Sequence, residues 1–376
     1  MTEYSKGLEG VIANESALSN VEGKEGRLSY LGYHIDDLVE NCCYEEIIYL
    51  LHRGKLPNQA ELDEAQARLR AERSLPEGVT EFLRTAPKDA NPMDVTRTAV
   101  SMLGLYDKRA AVGEPDLEKD SAIALSIVAK IPVIVASFHR FRQGLELPPI
   151  REDLNEAAHF LYLMSGEVPT DRAIRTLDVA LTLHADHGMN ASTFSARVTI
   201  ATLSDMYSAI TSAIGTLKGP LHGGANEGVI HMLQEIGDLD KVDEYLEGKI
   251  ARKEKIMGLG HRVYKVLDPR APHLRKFAVQ LTEELGEAKW IKMSERIAET
   301  MHQRKGLNAN VDFYSATVYY SLGIPTDLFT PIFAIARASG WTAQVLEQLR
   351  DSRLYRPMTL YTGPTELMPV PPIDQR

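Results

Sequence analysis

Three stretches of this chain carry residue types suited to proton chemistry beside a carbonyl. In Leu217-Lys218-Gly219-Pro220-Leu221-His222-Gly223-Gly224-Ala225-Asn226-Glu227-Gly228 a single histidine sits in a glycine turn ahead of an apolar-periodic segment, so His222 is expected at the mouth of a helix. In Gly258-Leu259-Gly260-His261-Arg262-Val263-Tyr264-Lys265 glycines frame His261, and in Asn308-Ala309-Asn310-Val311-Asp312-Phe313 two asparagines precede Asp312. A carboxylate that takes a proton from carbon, with two imidazoles donating to oxygens as they gain charge, is the set that enolisation and attack on a carbonyl require.

Charged residues in unusual places extend the set. Arg337 closes Pro331-Ile332-Phe333-Ala334-Ile335-Ala336-Arg337, and a lone cation in such an apolar run must pair with a carboxylate or face an anion site. Arg270 follows His261 in Asp268-Pro269-Arg270-Ala271-Pro272, and Arg356 stands near the C-terminus in Arg356-Pro357-Met358. His184 and His187 are three apart, the beginning of a metal-hydrolase reading, but no further ligand motif accompanies them. Gly258-Leu259-Gly260 lacks the third glycine and the preceding strand of a dinucleotide fingerprint, and reads as a loop that lets a ligand approach the backbone.

The elements that must hold these residues are mostly helical. Residues 7–35 are short and turn-rich, with strand-like pieces such as Gly10-Val11-Ile12-Ala13 and Arg27-Leu28-Ser29-Tyr30. Then the period changes: Tyr44, Ile47, Ile48 and Leu51 form a helical stripe ended by Gly54 and Pro57. Asn58 with Glu61 reads as a capping box, and Asn91-Pro92 as an N-cap with proline in the first turn of a helix closed by Gly104. Further helices are expected over 153–165, 170–186, 191–203, 205–214, 227–236, 238–252, 274–285, 293–305, 311–322 and 330–350. The fold class is mainly α with a small N-terminal β element.

Composition narrows the function classes. Over 376 residues the net charge is -10, which argues against nucleic acid as the main partner, since phosphate-backbone binders carry basic patches. An anionic substrate must then meet a local cluster of Arg and His. The two cysteines, Cys42 and Cys43, make no disulfide framework and fit a reducing cytoplasm. The longest apolar run, Ala122 to Phe138, contains Lys130 and Pro132 and reads as a buried helix in preference to a membrane span. Met1-Thr2-Glu3-Tyr4-Ser5-Lys6 shows no targeting pattern.

Taken together, Asp186-His187-Gly188-Met189-Asn190-Ala191-Ser192-Thr193-Phe194, Gly219-Pro220-Leu221-His222-Gly223-Gly224-Ala225-Asn226-Glu227, Gly258-Leu259-Gly260-His261-Arg262-Val263-Tyr264, Asp268-Pro269-Arg270, Asn310-Val311-Asp312-Phe313-Tyr314-Ser315 and Arg356-Pro357 resemble the citrate synthase family, in its shorter prokaryotic type, over nearly the whole chain. The resemblance implies a two-domain helical homodimer: 1–218 with 323–376 as the large domain that forms the dimer interface, and 219–322 as a small domain that binds CoA and closes over the active site. It implies condensation of acetyl-CoA with oxaloacetate through an enol, then hydrolysis of citryl-CoA, with acetyl-CoA as a substrate and no cofactor or metal. On this resemblance Asp312 is the base, His222 the donor to the thioester oxygen and His261 the donor to the ketone. His187, Arg270 and Arg337 grip oxaloacetate together with His222 and His261, and Arg356 reaches in from the other subunit. Met257, Gly258, Leu259 and Gly260 lie against CoA, with Lys265 near its phosphates and Asn310 nearby. Two positions depart from the family pattern: Leu31 stands where Arg is common and Gln344 where His is usual. Propionyl-CoA in a 2-methylcitrate synthase is the nearest alternative, and a non-catalytic CoA- or dicarboxylate-binding protein a remote one.

Overall fold

The computed structural model describes residues 4–110 and 112–376; Met1, Thr2 and Glu3 of the expected N-terminal reading lie outside them. Among the described residues there are sixteen α-helices and one small antiparallel sheet, so the mainly α expectation holds. The sheet has three strands in sequence order, β1 (Ser19–Glu22), β2 (Arg27–Tyr30) and β3 (Tyr33–His34). Gly10-Val11-Ile12-Ala13 is not among them. Val11 and Ile12 are exposed, and an apolar tetrapeptide becomes a strand only where a neighbouring strand accepts its backbone groups.

Helix ends follow the expected capping chemistry. Asn58 Oδ1 accepts the Glu61 N–H at 3.0 Å while Glu61 Oε2 accepts the Asn58 N–H at 2.9 Å, the reciprocal pair that starts Gln59–Ala71. Asn91 caps Pro92–Tyr106 through the Met93 N–H at 2.9 Å. That helix runs through Gly104 instead of stopping there. A Cβ on Gly104 would meet Tyr207 Cβ at 3.2 Å, so the glycine serves close packing against the helix Met206–Leu217.

The centre of the molecule is the helix Phe329–Arg350, in which every residue from Phe329 to Leu346 is buried. A helix buried on all sides must be surrounded, and it packs against Leu117–Arg142, Ala191–Ile200, Met206–Leu217, Asp171–His184 and Tyr44–Arg53. Leu117–Arg142 is long and apolar enough to span a membrane by composition, yet 83% of its apolar window is buried inside the protein. It continues through Pro132, and Lys130 Nζ is satisfied there by Glu72 Oε2 at 2.8 Å and Ser126 Oγ at 2.7 Å. Five helices between Ala225 and Ser321 pack chiefly on one another, Ala271–Glu284 and Ala225–Ile236 flanking Val311–Ser321 and Lys289–Lys305 covering Val242–Ala251. They meet the rest through Asp171–His184 and Phe329–Arg350.

Candidate active site

His187 leaves the end of Asp171–His184 on a turn pressed against the central helix. The crossing is tight: a Cβ on Gly340 would stand 2.1 Å from the Ala185 carbonyl oxygen, so only glycine admits the turn at this depth. The His187 ring lies 5.5 Å from that of His261, nearly perpendicular at 71°, and its Nε2 is 3.0 Å from the Tyr264 hydroxyl. Burial, reinforced by Arg270 and Arg337, holds His187 well below the usual histidine pKa.

His261 is oriented by its own loop. Its Nδ1 accepts the backbone N–H groups of Val263 at 3.0 Å and Tyr264 at 3.1 Å. Two donors on Nδ1 leave the ring proton of the neutral form on Nε2, which is then free to donate. Burial first, and Arg270 second, push its pKa down to about 4, so the imidazole is neutral near pH 7.

His222 follows Met206–Leu217 on the turn through Gly223. The helix after it begins at Ala225, two residues before the expected Glu227. The helix N-terminus that its ring touches is a different one: Ser192, in the first turn of Ala191–Ile200, donates its N–H to His222 Nε2 at 3.3 Å. Ser192 Oγ stands 2.8 Å from the same nitrogen and accepts the Trp341 indole N–H at 3.0 Å. A backbone donor on Nε2 places the ring proton on Nδ1 and opposes a second proton. Burial and then Arg337 push the pKa to about 4.

Asp312 occupies the first turn of Val311–Ser321, where the Asn310 Oδ1 cap accepts its N–H at 3.0 Å. Three bonds tie this helix start to the chain before His261: Gly260 N–H to Asn308 O at 2.8 Å, Asn310 N–H to Gly258 O at 3.0 Å and Asn310 Nδ2 to Gly260 O at 2.9 Å. Burial raises the Asp312 pKa to about 6 against the pull of Arg270. The group is therefore ionised at neutral pH and a stronger base than an ordinary carboxylate.

Two buried arginines complete the cluster. Arg270 grips Asp268 with two parallel bonds, Nε to Oδ1 at 2.9 Å and Nη2 to Oδ2 at 2.8 Å, and Asp268 Oδ2 also accepts the Val311 N–H at 3.2 Å. Arg337 makes no ion pair among the described residues. Its Nε donates to the His184 carbonyl at 2.6 Å and its guanidinium lies 4.8 Å over the Phe333 ring. Burial lowers its pKa to about 10, with Asp186 pulling the other way. Of the two readings open for this residue in the sequence, the salt bridge is the one the structure removes.

The remaining expected residues are spread more widely. Met257, Gly258, Leu259 and Gly260 form the edge that pairs with the 308–310 segment through the Leu259–Ala309 bridge. Lys265 is exposed, its Nζ 3.2 Å from the Arg262 carbonyl, while the Asn310 amide is engaged at both ends, Nδ2 donating to Gly260 O in the loop and Oδ1 accepting the Asp312 N–H of the helix start. Arg356 is not brought to the cluster within one chain; it lies exposed on the C-terminal segment, its Nη1 donating to Pro357 O at 3.0 Å. His184, half of the metal reading, packs its ring 5.0 Å from Phe333 and 6.4 Å from Tyr319, with Nδ1 2.7 Å from the Ala180 carbonyl. Gln344 donates to Asp186 Oδ2 at 3.1 Å and accepts from Arg197 Nη1 at 2.7 Å, and Leu31 turns the chain between β2 and β3 at φ 47°. Ser192, Trp341, Tyr264 and Asp268 support the site without having been singled out from sequence; three of them lie inside the quoted motifs, and Trp341 is one of two tryptophans in the chain.

The arrangement offers one carboxylate of raised basicity, imidazoles held neutral, and two buried guanidinium groups. The family model for the citrate synthase C-terminal domain matches residues 7–358. The chain belongs to the citrate synthase family. It is 51% identical to "Citrate synthase 2" of Bacillus subtilis over 99% of each chain, and 41% identical to "2-methylcitrate synthase 2" of Corynebacterium glutamicum over 100% of this chain and 98% of that one. Among solved structures, citrate synthase of the thermophilic archaeon Thermoplasma acidophilum in ternary complex with carboxymethyl coenzyme A and oxaloacetate superposes with a TM-score of 0.92 at 33% identity, covering 100% of both chains. Membership of the citrate synthase family makes the protein an acyltransferase.

Proposed function

We propose that the cluster condenses acetyl-CoA with oxaloacetate and hydrolyses the product, with Asp312 as base. Asp312 removes a proton from the acetyl methyl while the His222 Nδ1–H donates to the thioester oxygen, giving the enol. The enol carbon attacks the ketone carbon of oxaloacetate as the enol O–H proton returns to His222 Nδ1, restoring the thioester carbonyl, and the ketone oxygen takes the His261 Nε2 proton. Water then cleaves the citryl thioester, releasing citrate and CoA. Arg337, Arg270 and His187 hold the oxaloacetate carboxylates, which supplies the direct carboxylate partner that Arg337 lacks among the described residues.

The observation that carries this reading is the buried, unpaired Arg337 in the same electrostatic field as the raised Asp312 and the depressed His222. We assign residues 219–322 to a small domain that closes on 1–218 and 323–376; the self-packing of the five helices from Ala225 to Ser321 supports the division. We assign Met257, Gly258, Leu259, Gly260, Lys265 and Asn310 to the CoA side of the cleft, and Arg356 to the active site of a second copy, in a homodimer. The exposed course of the C-terminal segment supports the last assignment.

Oxaloacetate-dependent release of free thiol from acetyl-CoA tests the reaction; a protein that binds both compounds and releases none defeats it. Propionyl-CoA is the alternative acyl donor, given the C. glutamicum relative, and the higher identity to the B. subtilis protein favours acetyl-CoA. One methylene discriminates by only about 10- to 200-fold, so kcat/KM for the two thioesters is the deciding measurement, and a propionyl preference reverses the choice.

A further inference from the structure

We propose that the N-terminal β-hairpin positions the two oxaloacetate histidines relative to each other, its tip seating the His261 loop and its base seating the His187 turn. The proposal rests on the role given to those histidines above.

Strands β1 and β2 pair Glu22 with Arg27, which leaves Gly23, Lys24, Glu25 and Gly26 as the turn, closed by the Gly26 N–H on the Glu22 carbonyl at 2.9 Å. That turn lies on the chain just after His261. Lys265 donates its N–H to the Gly23 carbonyl at 2.9 Å. A Cβ on Gly23 would stand 2.4 Å from the Val263 carbonyl oxygen, and one on Gly26 2.6 Å from Val266 Cγ2. Both glycines of the turn therefore mark one contact too close for a side chain, and its other wall is the loop whose backbone orients the His261 ring.

The base of the same hairpin grips the other histidine. Ser19 Oγ donates to Asp186 Oδ2 at 2.6 Å and accepts the Gly188 N–H at 2.8 Å, so it holds the residues on either side of His187. The buried Tyr30 hydroxyl lies 3.1 Å from the carbonyls of both Thr182 and Asp186. One short paired element thus spans two segments remote in sequence, each carrying an imidazole of the cleft. A ladder of paired strands keeps its two ends at a fixed separation better than an unpaired loop, which suits a part whose work is alignment.

Gly23→Ala is the direct probe. Gly23, unlike Gly26 at φ +66°, is not in the left-handed region, so the contact with the loop is what opposes the methyl group. Relieving a 2.4 Å approach to ordinary contact shifts the loop by roughly 1 Å, and a misplacement of that size costs on the order of 100-fold. The expected result is a fall in kcat/KM for oxaloacetate of about 100-fold, with melting temperature and far-UV circular dichroism unchanged. Amides of 261–267 should also lose their slowing of hydrogen exchange on adding oxaloacetate. Ser19→Ala, which loosens the base without adding bulk, should raise KM for oxaloacetate by about tenfold at similar kcat, whereas Glu25→Ala on the exposed face of the turn should match the wild type. A Gly23→Ala enzyme within about twofold of wild type in kcat/KM overturns the proposal. So does a Gly23→Ala loss that merely follows a lowered melting temperature while Ser19→Ala is unaffected. Wild-type enzyme that releases no thiol defeats the proposed function instead, which keeps the two failures apart.

Discussion

The turn that carries Arg270 and the helix that carries Arg337 bury cations to the same depth, 2% and 1% exposed, and serve them in opposite ways. Arg270 is clamped by both oxygens of Asp268, which also caps the start of the Asp312 helix through the Val311 N–H. Arg337 receives only a carbonyl and a ring face. A buried ion pair with satisfied hydrogen bonds is a self-contained structural joint, whereas a buried charge without a counter-ion is held at a cost by rigid surroundings. On the roles proposed above, the difference divides the site into a jointed side, 258–270 with 308–312, that organises proton transfer, and a rigid side, the central helix, that presents charge.

The largest effect expected from this division is on the jointed side. Asp312→Asn keeps the helix start, whose cap is made by Asn310 to the backbone, and removes the proposed base. We expect kcat to fall by about 10²–10⁴-fold while oxaloacetate binding, measured by calorimetry, is retained. Loss of oxaloacetate binding together with kcat would erase the distinction between the two sides.

Next in size is the contrast between the arginines themselves. Arg337→Leu should raise KM for oxaloacetate by about 100-fold, yet leave the melting temperature equal to or above that of the wild type, because an uncompensated buried charge is removed. Arg270→Leu should weaken oxaloacetate binding and also destabilise the fold by about 3–5 kcal/mol, since Asp268 is left buried and alone. Equal melting temperatures for the two variants would show that the Asp268 clamp is not the joint described here.

Acidification separates the groups by their shifted pKa values. His222 and His261, at about 4, remain neutral while Asp312 titrates at about 6. Between these values kcat/KM should fall about tenfold for each pH unit, as for loss of a single base. The sign for stability is opposite to the usual carboxylate case. With the folded pKa raised above the unfolded value of 3.8, the native state binds more protons in that window, so the contribution of Asp312 to stability declines as pH rises through it. Asp312→Asn should abolish that part of the pH dependence of unfolding. A steeper fall in rate than one proton allows would bring the histidines into the same window and contradict their neutral state.

Most of the helical frame was legible in the sequence because its signals are local. Asn58 with Glu61, Asn91 with Pro92 and the stripe from Tyr44 to Leu51 each settle within one or two turns, as do the glycines around His222 and His261 that marked them as candidates. Contacts between distant segments were not legible. The helix terminus facing His222 is that of Ser192, thirty residues away in sequence, and nothing near His222 announces it. The fate of Arg337, the packing role of Gly104 and the meeting of the Gly23 turn with the His261 loop likewise depend on which helices the core brings together. Gly10-Val11-Ile12-Ala13 has the composition of a strand but not the structure of one for the same reason, since a strand exists by virtue of its partner.

Tyr264 belongs to the jointed side but touches the other histidine, which makes its phenol the finest test of the division. Burial holds the tyrosine pKa above its ordinary value and the His187 pKa below, so both are neutral and the link is a single neutral hydrogen bond of 3.0 Å. Such a bond contributes about 1 kcal/mol, roughly a fivefold change in an equilibrium. Tyr264→Phe deletes it and retains the ring, which packs 4.8 Å from His261 and 5.5 Å from His187, so both imidazoles keep their planes. The expected outcome is a rise of about fivefold in KM for oxaloacetate with kcat little changed, because His187 loses an orienting partner while Asp312, His222 and His261 are untouched. A collapse of kcat on the scale of Asp312→Asn would place the phenolic proton in the reaction itself, and the boundary between the side that moves protons and the side that holds charge would have to be redrawn through His187.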